Sequence, residues 1–151
     1  MTLSGARELK DMIKISPDTY YYSFSTYSTV TNEESGRQNI VGNTNWMFKP
    51  TSLLLQGMEG MKIDGIKLVD DWAIHDGVIP LASSKFPDVD EAFAKSYEEV
   101  MQKKEEIKKG IWYYMEPIFS MDHFDFCGIH DFPTTMEDFY FNLIDMVNSN
   151  C

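Results

Sequence analysis

Basic side chains, cysteine and long apolar runs are all scarce in this chain of 151 residues. Each scarcity narrows what the chain does. Lysine and arginine number 13 against 24 aspartates and glutamates, a formal net charge of -11 at pH 7. A nucleic-acid binder needs a basic patch to meet phosphates, so no nucleic-acid partner is expected. The acidity is read as a solubility device. The two cysteines, Cys127 and Cys151, form no disulfide framework and lack metal-ligand spacing. No apolar run approaches the ~20 residues that span a bilayer, so no transmembrane segment is expected. The opening MTLSGARELKDMIK lacks the apolar core of a secretion signal, and the chain as written reads as soluble and untargeted. A G-x-S-x-G pentapeptide, the nucleophile turn of serine hydrolases, is also absent. Ser4-Gly5 and Ser35-Gly36 both lack the leading glycine.

What remains is enough for a core. Hydrophobic residues make up 43% of the chain and aromatics 14%, too many for a disordered tail, and the length suits one domain. Ala6, Leu9, Met12 and Ile13 recur at helical spacing and are stopped by Pro17. Residues 19–26 alternate, with Tyr20, Tyr22 and Phe24 on one side and Tyr21, Ser23 and Ser25 on the other, which predicts a strand. Residues 31–45 are rich in Asn, Gly, Ser and Thr and read as a long loop. A short apolar helix is expected over 50–58. Val89, Phe93, Tyr97 and Met101 fall on every fourth residue, predicting a helix of about five turns with a charged end and Gly110 as its stop. Residues 111–115 read as a buried strand and 116–133 as a loop. Thr134-x-x-Glu137 opens a last helix as a capping box. It carries Met136, Phe139, Tyr140, Leu143 and Val147 on one face. Helices and strands alternate, so the class is α/β.

Two segments could carry chemistry. HDGVIP, residues 75–80, is built around Asp76-Gly77, which alone is an ordinary turn. SMDHFDFCGIHD, residues 120–131, follows a strand and holds Asp122, His123, Asp125, His130 and Asp131. A loop histidine after a buried strand is where an α/β hydrolase puts its general base, and in that fold the triad acid precedes the base. Asp76 precedes His123 by 47 residues. A serine hydroxyl needs an imidazole to take its proton, and the imidazole needs a carboxylate on its other nitrogen. Asp76 and His123 are therefore the candidate acid and base. Trp72, Trp112, Tyr113 and Tyr114 are assigned to the core, while Leu53, Leu54, Leu55 and Met58 are candidates for an acyl-pocket wall.

The same segments resemble a family. LSGARELKDMIKISPDTYYYSFST, IHDGVIPLASSKFP and GIWYYMEPIFSMDHFDFCGI are similar, in that order, to three stretches of the large lipases of thermophilic bacilli and staphylococci and their plant and protist relatives. The first matches "ASPNTYY-SFAT", with an opening two residues shorter than usual. The second matches "NDGIVNTISM", and the third the "G-W-----DH" segment. The resemblance covers residues 3–147, with a variable stretch over 86–109. It implies the C-terminal part of an α/β-hydrolase fold over residues 1–151, with the N-terminal half and its nucleophile elbow missing. It implies hydrolysis of acyl esters, acylglycerols above all, in the complete protein, with Asp76 as triad acid and His123 as triad base. Family members are commonly secreted. The family's zinc site falls upstream of Met1, so no zinc site is expected here. Its calcium site implies ligands at Asp125, at Asp131 in place of His130, and at the carbonyl of Gly42, since a histidine suits a hard cation poorly. Two further readings stand beside this one: a non-catalytic lipase-like interaction module, and a metal-dependent hydrolase using His123, Asp125, His130 and Asp131.

Overall fold

The computed structural model describes residues 12–42, 44–63, 65–87, 91–127 and 135–150. Its centre is a pair of interrupted parallel strands. β1 (Tyr21–Ser23) lies beside β8 (Trp112–Tyr114), and β2 (Thr26–Tyr27) beside β9 (Ile118–Phe119). Two bonds carry the ladder across the breaks, Met115 N–H to Ser23 O at 3.0 Å and Ile118 N–H to Ser25 O at 2.9 Å. Residues 21–27 thus run alongside 112–119. Both segments are rich in aromatics, which suit a pleated, half-buried surface. Tyr21 stacks on Trp112 at 5.0 Å, and Tyr22 meets Tyr113 at 5.9 Å. Tyr113 is fully buried against Val100 and Ile107, with Tyr20, Tyr22, Tyr97 and Ile111 packed around it.

The long helix expected over 89–101 does not form. Val89 lies outside the described residues. Beyond it come a single 3-10 turn at Glu91–Phe93, then β7 (Ala94–Ser96), then a short helix at Tyr97–Gln102. β7 pairs in parallel with β8 and completes a three-stranded sheet of order β1-β8-β7. Backbone pairing to β8 outweighs the four-residue apolar stripe. Ser96 then restarts the chain as a helix, its Oγ accepting the Glu99 N–H at 3.3 Å. The stop is also early: the helix ends at Gln102, and Lys104 at φ 55 turns the chain away before Gly110.

The loop expected over 31–45 holds a hairpin. β3 (Thr29–Thr31) pairs antiparallel with β4 (Gln38–Ile40). Asn32 Oδ1 holds the connection by accepting the Glu34 and Ser35 N–H groups. A 3-10 turn at Trp46–Phe48 runs directly into α1 (Lys49–Met58), close to the helix expected there. A small hairpin follows, β5 (Lys62–Ile63) with β6 (Ile66–Lys67), and then α2 (Leu81–Ser84). The Tyr97–Gln102 helix is α3. The expected loop over 116–133 contains β9 and the short helix α4 (His123–Phe126). The last helix is α5 (Thr135–Asn150). It is anchored where Phe139 meets Phe24 edge-on at 5.1 Å. Of the first expected helix, Ala6 and Leu9 lie outside the described residues, as does the cap residue Thr134. Met12 and Ile13 are described, exposed and not helical, so no helix runs up to Pro17. No helix among the described residues is long and apolar enough to cross a membrane.

Candidate active site

The β2–β9 pair ends where the two candidate segments meet. The backbone leaving β2 is tied to the HDG segment, because Ser28 N–H donates to His75 O at 2.9 Å. Beyond β9, Ser120 adopts φ 64 and turns the chain toward α4. Crevices at the carboxyl ends of parallel strands are where open α/β folds bind ligands.

Asp76 is a buried carboxylate with two distinct oxygens. Oδ1 accepts the N–H groups of Val78 at 2.9 Å and Ile79 at 2.8 Å. Oδ2 lies 2.8 Å from Nδ1 of His123. A backbone bond from His123 N–H to Asp76 O at 3.0 Å fastens the same two residues a second time. The Asp76 side chain is 9% exposed and the His123 side chain 36%. The carboxylate is therefore shielded while the imidazole reaches solvent.

Glycine is required beside the acid. Gly77 adopts φ 101, and a Cβ there would stand 2.9 Å from Cβ of buried Phe48. Phe48 packs edge-on against the His123 ring at 6.2 Å and against Phe124 at 4.4 Å. One aromatic ring thus fills the space beneath both halves of the pair. Thr51 on α1 presents its hydroxyl to Gly77 O at 2.7 Å and Phe48 O at 2.9 Å.

His123 is the first residue of α4, and Asp122 is the cap. Asp122 Oδ1 accepts the Phe124 and Asp125 N–H groups at 2.9 and 3.1 Å. Asp125 Oδ2 accepts the Asp122 N–H at 3.0 Å, closing a reciprocal capping box. Asp122 Oδ2 also accepts the Asn45 N–H at 2.7 Å. That bond ties the loop after β4 to the histidine turn. Both carboxylates are buried, Asp122 at 1% exposure and Asp125 at 3%.

His75 is fully buried beside the acid. Its Nδ1 accepts the Gly77 N–H at 3.1 Å, and burial pushes its pKa below the usual histidine value, partly opposed by the Asp76 charge. His75, Phe48, Asp122 and Thr51 carried no role in the sequence reading. Asp122-x-x-Asp125 had a detectable signal, an acidic form of the capping-box spacing. Phe48 and Thr51 act through contacts with residues distant in the chain, and the His75–Gly77 bond, though local, depends on a burial of the ring that no local pattern shows.

The remaining expectations divide. Of the expected calcium ligands, Asp125 sits in the capping box and Gly42 in an open turn with no atom within 4 Å of where a Cβ would be. Asp131 and His130 lie outside the described residues. Among the described residues no cluster of three or more His, Cys, Asp or Glu side chains forms a metal site. Leu53 and Leu54 face solvent at 62% and 63% exposure, so they wall no enclosed pocket. Their helix instead buries Ser52. Of the four aromatics assigned to the core, Tyr113 is fully buried and Trp72, Trp112 and Tyr114 are half-buried.

The fold is of the α/β-hydrolase-like class, as its likeness to a lipase and an esterase structure shows. The crystal structure of Staphylococcus hyicus lipase superposes with a TM-score of 0.69 at 20% identity, over 95% of this chain and 34% of that one. EstA from Clostridium botulinum gives 0.65 at 29% identity, over 82% of this chain and 28% of that one. The sequence model of the family described as "Lipase-like, C-terminal domain" matches residues 1–150. The chain belongs to that family. Lipase 2 of Staphylococcus aureus (strain MRSA252) is 26% identical over 129 residues, 85% of this chain. The chain spans 16% of the length of that curated relative.

Proposed function

We propose that this chain supplies the acid and the base of a serine lipase or carboxylic ester hydrolase acting on acylglycerols. The nucleophilic serine and oxyanion donors would lie on a segment outside these 151 residues. The observation that carries the reading is the 2.8 Å contact between His123 Nδ1 and Asp76 Oδ2. A carboxylate on Nδ1 holds the imidazole in the tautomer whose Nε2 is an acceptor. It also stabilises the imidazolium formed when Nε2 takes a serine proton. His123 would then return that proton to the leaving alcohol, and Asp76 would remain ionised throughout. The family membership and the lipase and esterase relatives support the substrate class.

Calcium is proposed as a structural ion beside this site, held by Asp125, Asp131 and the Gly42 carbonyl. Oxygen donors and buried carboxylates suit a hard cation. The Asn45–Asp122 bond brings the Gly42 loop to the α4 turn. No catalytic step depends on it.

Hydrolysis of a short-chain p-nitrophenyl ester tests the reading. A protein joining these residues to a G-x-S-x-G segment should turn over, and His123→Ala in it should lower kcat by about 10⁴-fold or more. Residues 1–151 alone should give no acyl-enzyme and no turnover. Activity of the isolated chain that vanishes with His123→Ala would place the nucleophile within it and overturn the division of labour. Indifference of the joined protein to His123→Ala would overturn the assignment of the base.

A further inference from the structure

The turn that carries Asp76 has nearly every polar group assigned. Asp76 N–H donates to Ile79 O at 3.3 Å, and Asp76 O accepts from His123 N–H. Val78 and Ile79 N–H occupy Oδ1, and Gly77 O accepts from Thr51. Oδ2 is thereby left to His123. The Gly77 N–H, in turn, is met by the imidazole of His75. Gly77 is the pivot: its φ of 101 sets the direction in which the chain returns toward Val78 and Ile79, whose N–H groups fix the rotation of the carboxylate.

We infer that His75 is a positioning residue: by accepting the Gly77 N–H, its buried imidazole locks the turn that presents one oxygen of Asp76 to His123. This rests on the reading of Asp76 and His123 as acid and base. His75 touches neither the base nor any reacting group, and it acts through Gly77. The role requires a neutral ring with its proton on Nε2 and an acceptor at Nδ1. Burial on all sides favours the neutral ring. The backbone of His75 is held independently, by Ser28 N–H on its carbonyl and by the bridge to Pro80. The side chain is thus aimed from a fixed base. Asparagine can place an acceptor oxygen near the Nδ1 position, whereas leucine fills space and accepts nothing.

The test is nitrogen-15 and proton NMR on the full chain. In the native protein His75 should be protonated at Nε2 and bare at Nδ1, with a scalar coupling between Nδ1 and the Gly77 amide nitrogen. Protonation at Nδ1 overturns the inference. The His123 Nδ1 proton, bonded to a carboxylate, should resonate far downfield and disappear in Asp76→Asn. In His75→Leu that resonance should be lost while the amide spectrum stays dispersed, and His75→Asn should restore it. Its persistence in a folded His75→Leu protein defeats the positioning role and leaves the acid–base pair standing. Its absence from the native chain defeats the pair itself, and the inference falls with it. If His75→Leu does not fold, the native tautomer and coupling decide.

Discussion

Asp76 has two oxygens, and the fold uses them for different purposes. Oδ1 belongs to the turn and Oδ2 to His123. A side chain in that position cannot be exchanged for a neutral isostere without losing the second use. The neighbouring histidine has a thermodynamic consequence of its own. An unfolded histidine takes up its proton near pH 6.5, whereas folded His75 does so only at lower pH, because desolvation outweighs the attraction of Asp76. Between those two pH values the unfolded chain binds a proton that the folded chain refuses, so stability rises with pH across that window. It is lost as pH falls below 6.5, the unfolded value. The limiting slope for one proton is about 1.4 kcal/mol per pH unit. Other groups titrate too, so the quantity to measure is the difference between native chain and His75→Asn. The native melting temperature should fall more steeply than the variant's from about pH 7 to about pH 5, where an unperturbed histidine titrates. Parallel curves in thermal melts would show that His75 protonates normally in the folded state.

The elements divide by how locally they are determined. β1 was legible because Tyr20 and Tyr22 repeat with the period of a pleat, and β8 because residues 111–115 form an apolar, aromatic run; Tyr20, Tyr22 and Tyr113 do pack together. The helix through Phe93 and Met101 was misread because a four-residue apolar repeat cannot reveal that a parallel partner is available. Both side chains are about half exposed, and Val100 is the residue that enters the core. The β3–β4 hairpin was invisible for the opposite reason: Gln38, Asn39 and Thr31 offer no apolar alternation, and its stability comes from the turn at Asn32 and from backbone pairing. The site was half legible. The order and setting of Asp76 and His123 were readable, but Phe48 and Thr51 gain their parts only when distant segments meet, and His75 only when its ring is buried. The junction between the Gly42 loop and α4 carries its own prediction. If calcium bridges Asp125, Asp131 and the Gly42 carbonyl, an ion at about 100 times its Kd adds about 2.7 kcal/mol to stability. That raises the melting temperature by roughly 5–10 °C for a chain of this size. Asp125→Asn should abolish the difference between melts in calcium and in chelator. Equal melting temperatures for the native chain in both would remove calcium from the account.

Association of the isolated chain is a contest between exposed apolar surface and repulsion. Trp46 is 74% exposed and Phe141 65%, with Leu53, Leu54 and Ile144 also turned outward. Side chains of this size leave apolar surface that another surface could bury. Parallel sheets ordinarily have both faces packed and their edges protected, yet among the described residues the β1-β8-β7 sheet has three strands and the β2–β9 pair two. Against these stands a net charge of -11, which keeps copies apart. The two influences differ in how they respond to salt. Repulsion acts over the screening length, ~30 Å at 0.01 M salt and ~3 Å at 1 M, while burial of apolar surface does not weaken over that range. Sedimentation velocity of the native chain at neutral pH should therefore show monomer at about 0.01 M salt and progressively larger species toward 1 M. Leu53→Lys with Leu54→Lys should shift that onset to higher salt because it removes apolar area, even though it also lowers the repelling net negative charge by two. Those two consequences oppose each other, and only if apolar contact dominates does the variant stay monomeric longer. An onset that moves to lower salt would make charge the controlling quantity, and a native chain monomeric at every salt concentration would show that these faces have no affinity for one another.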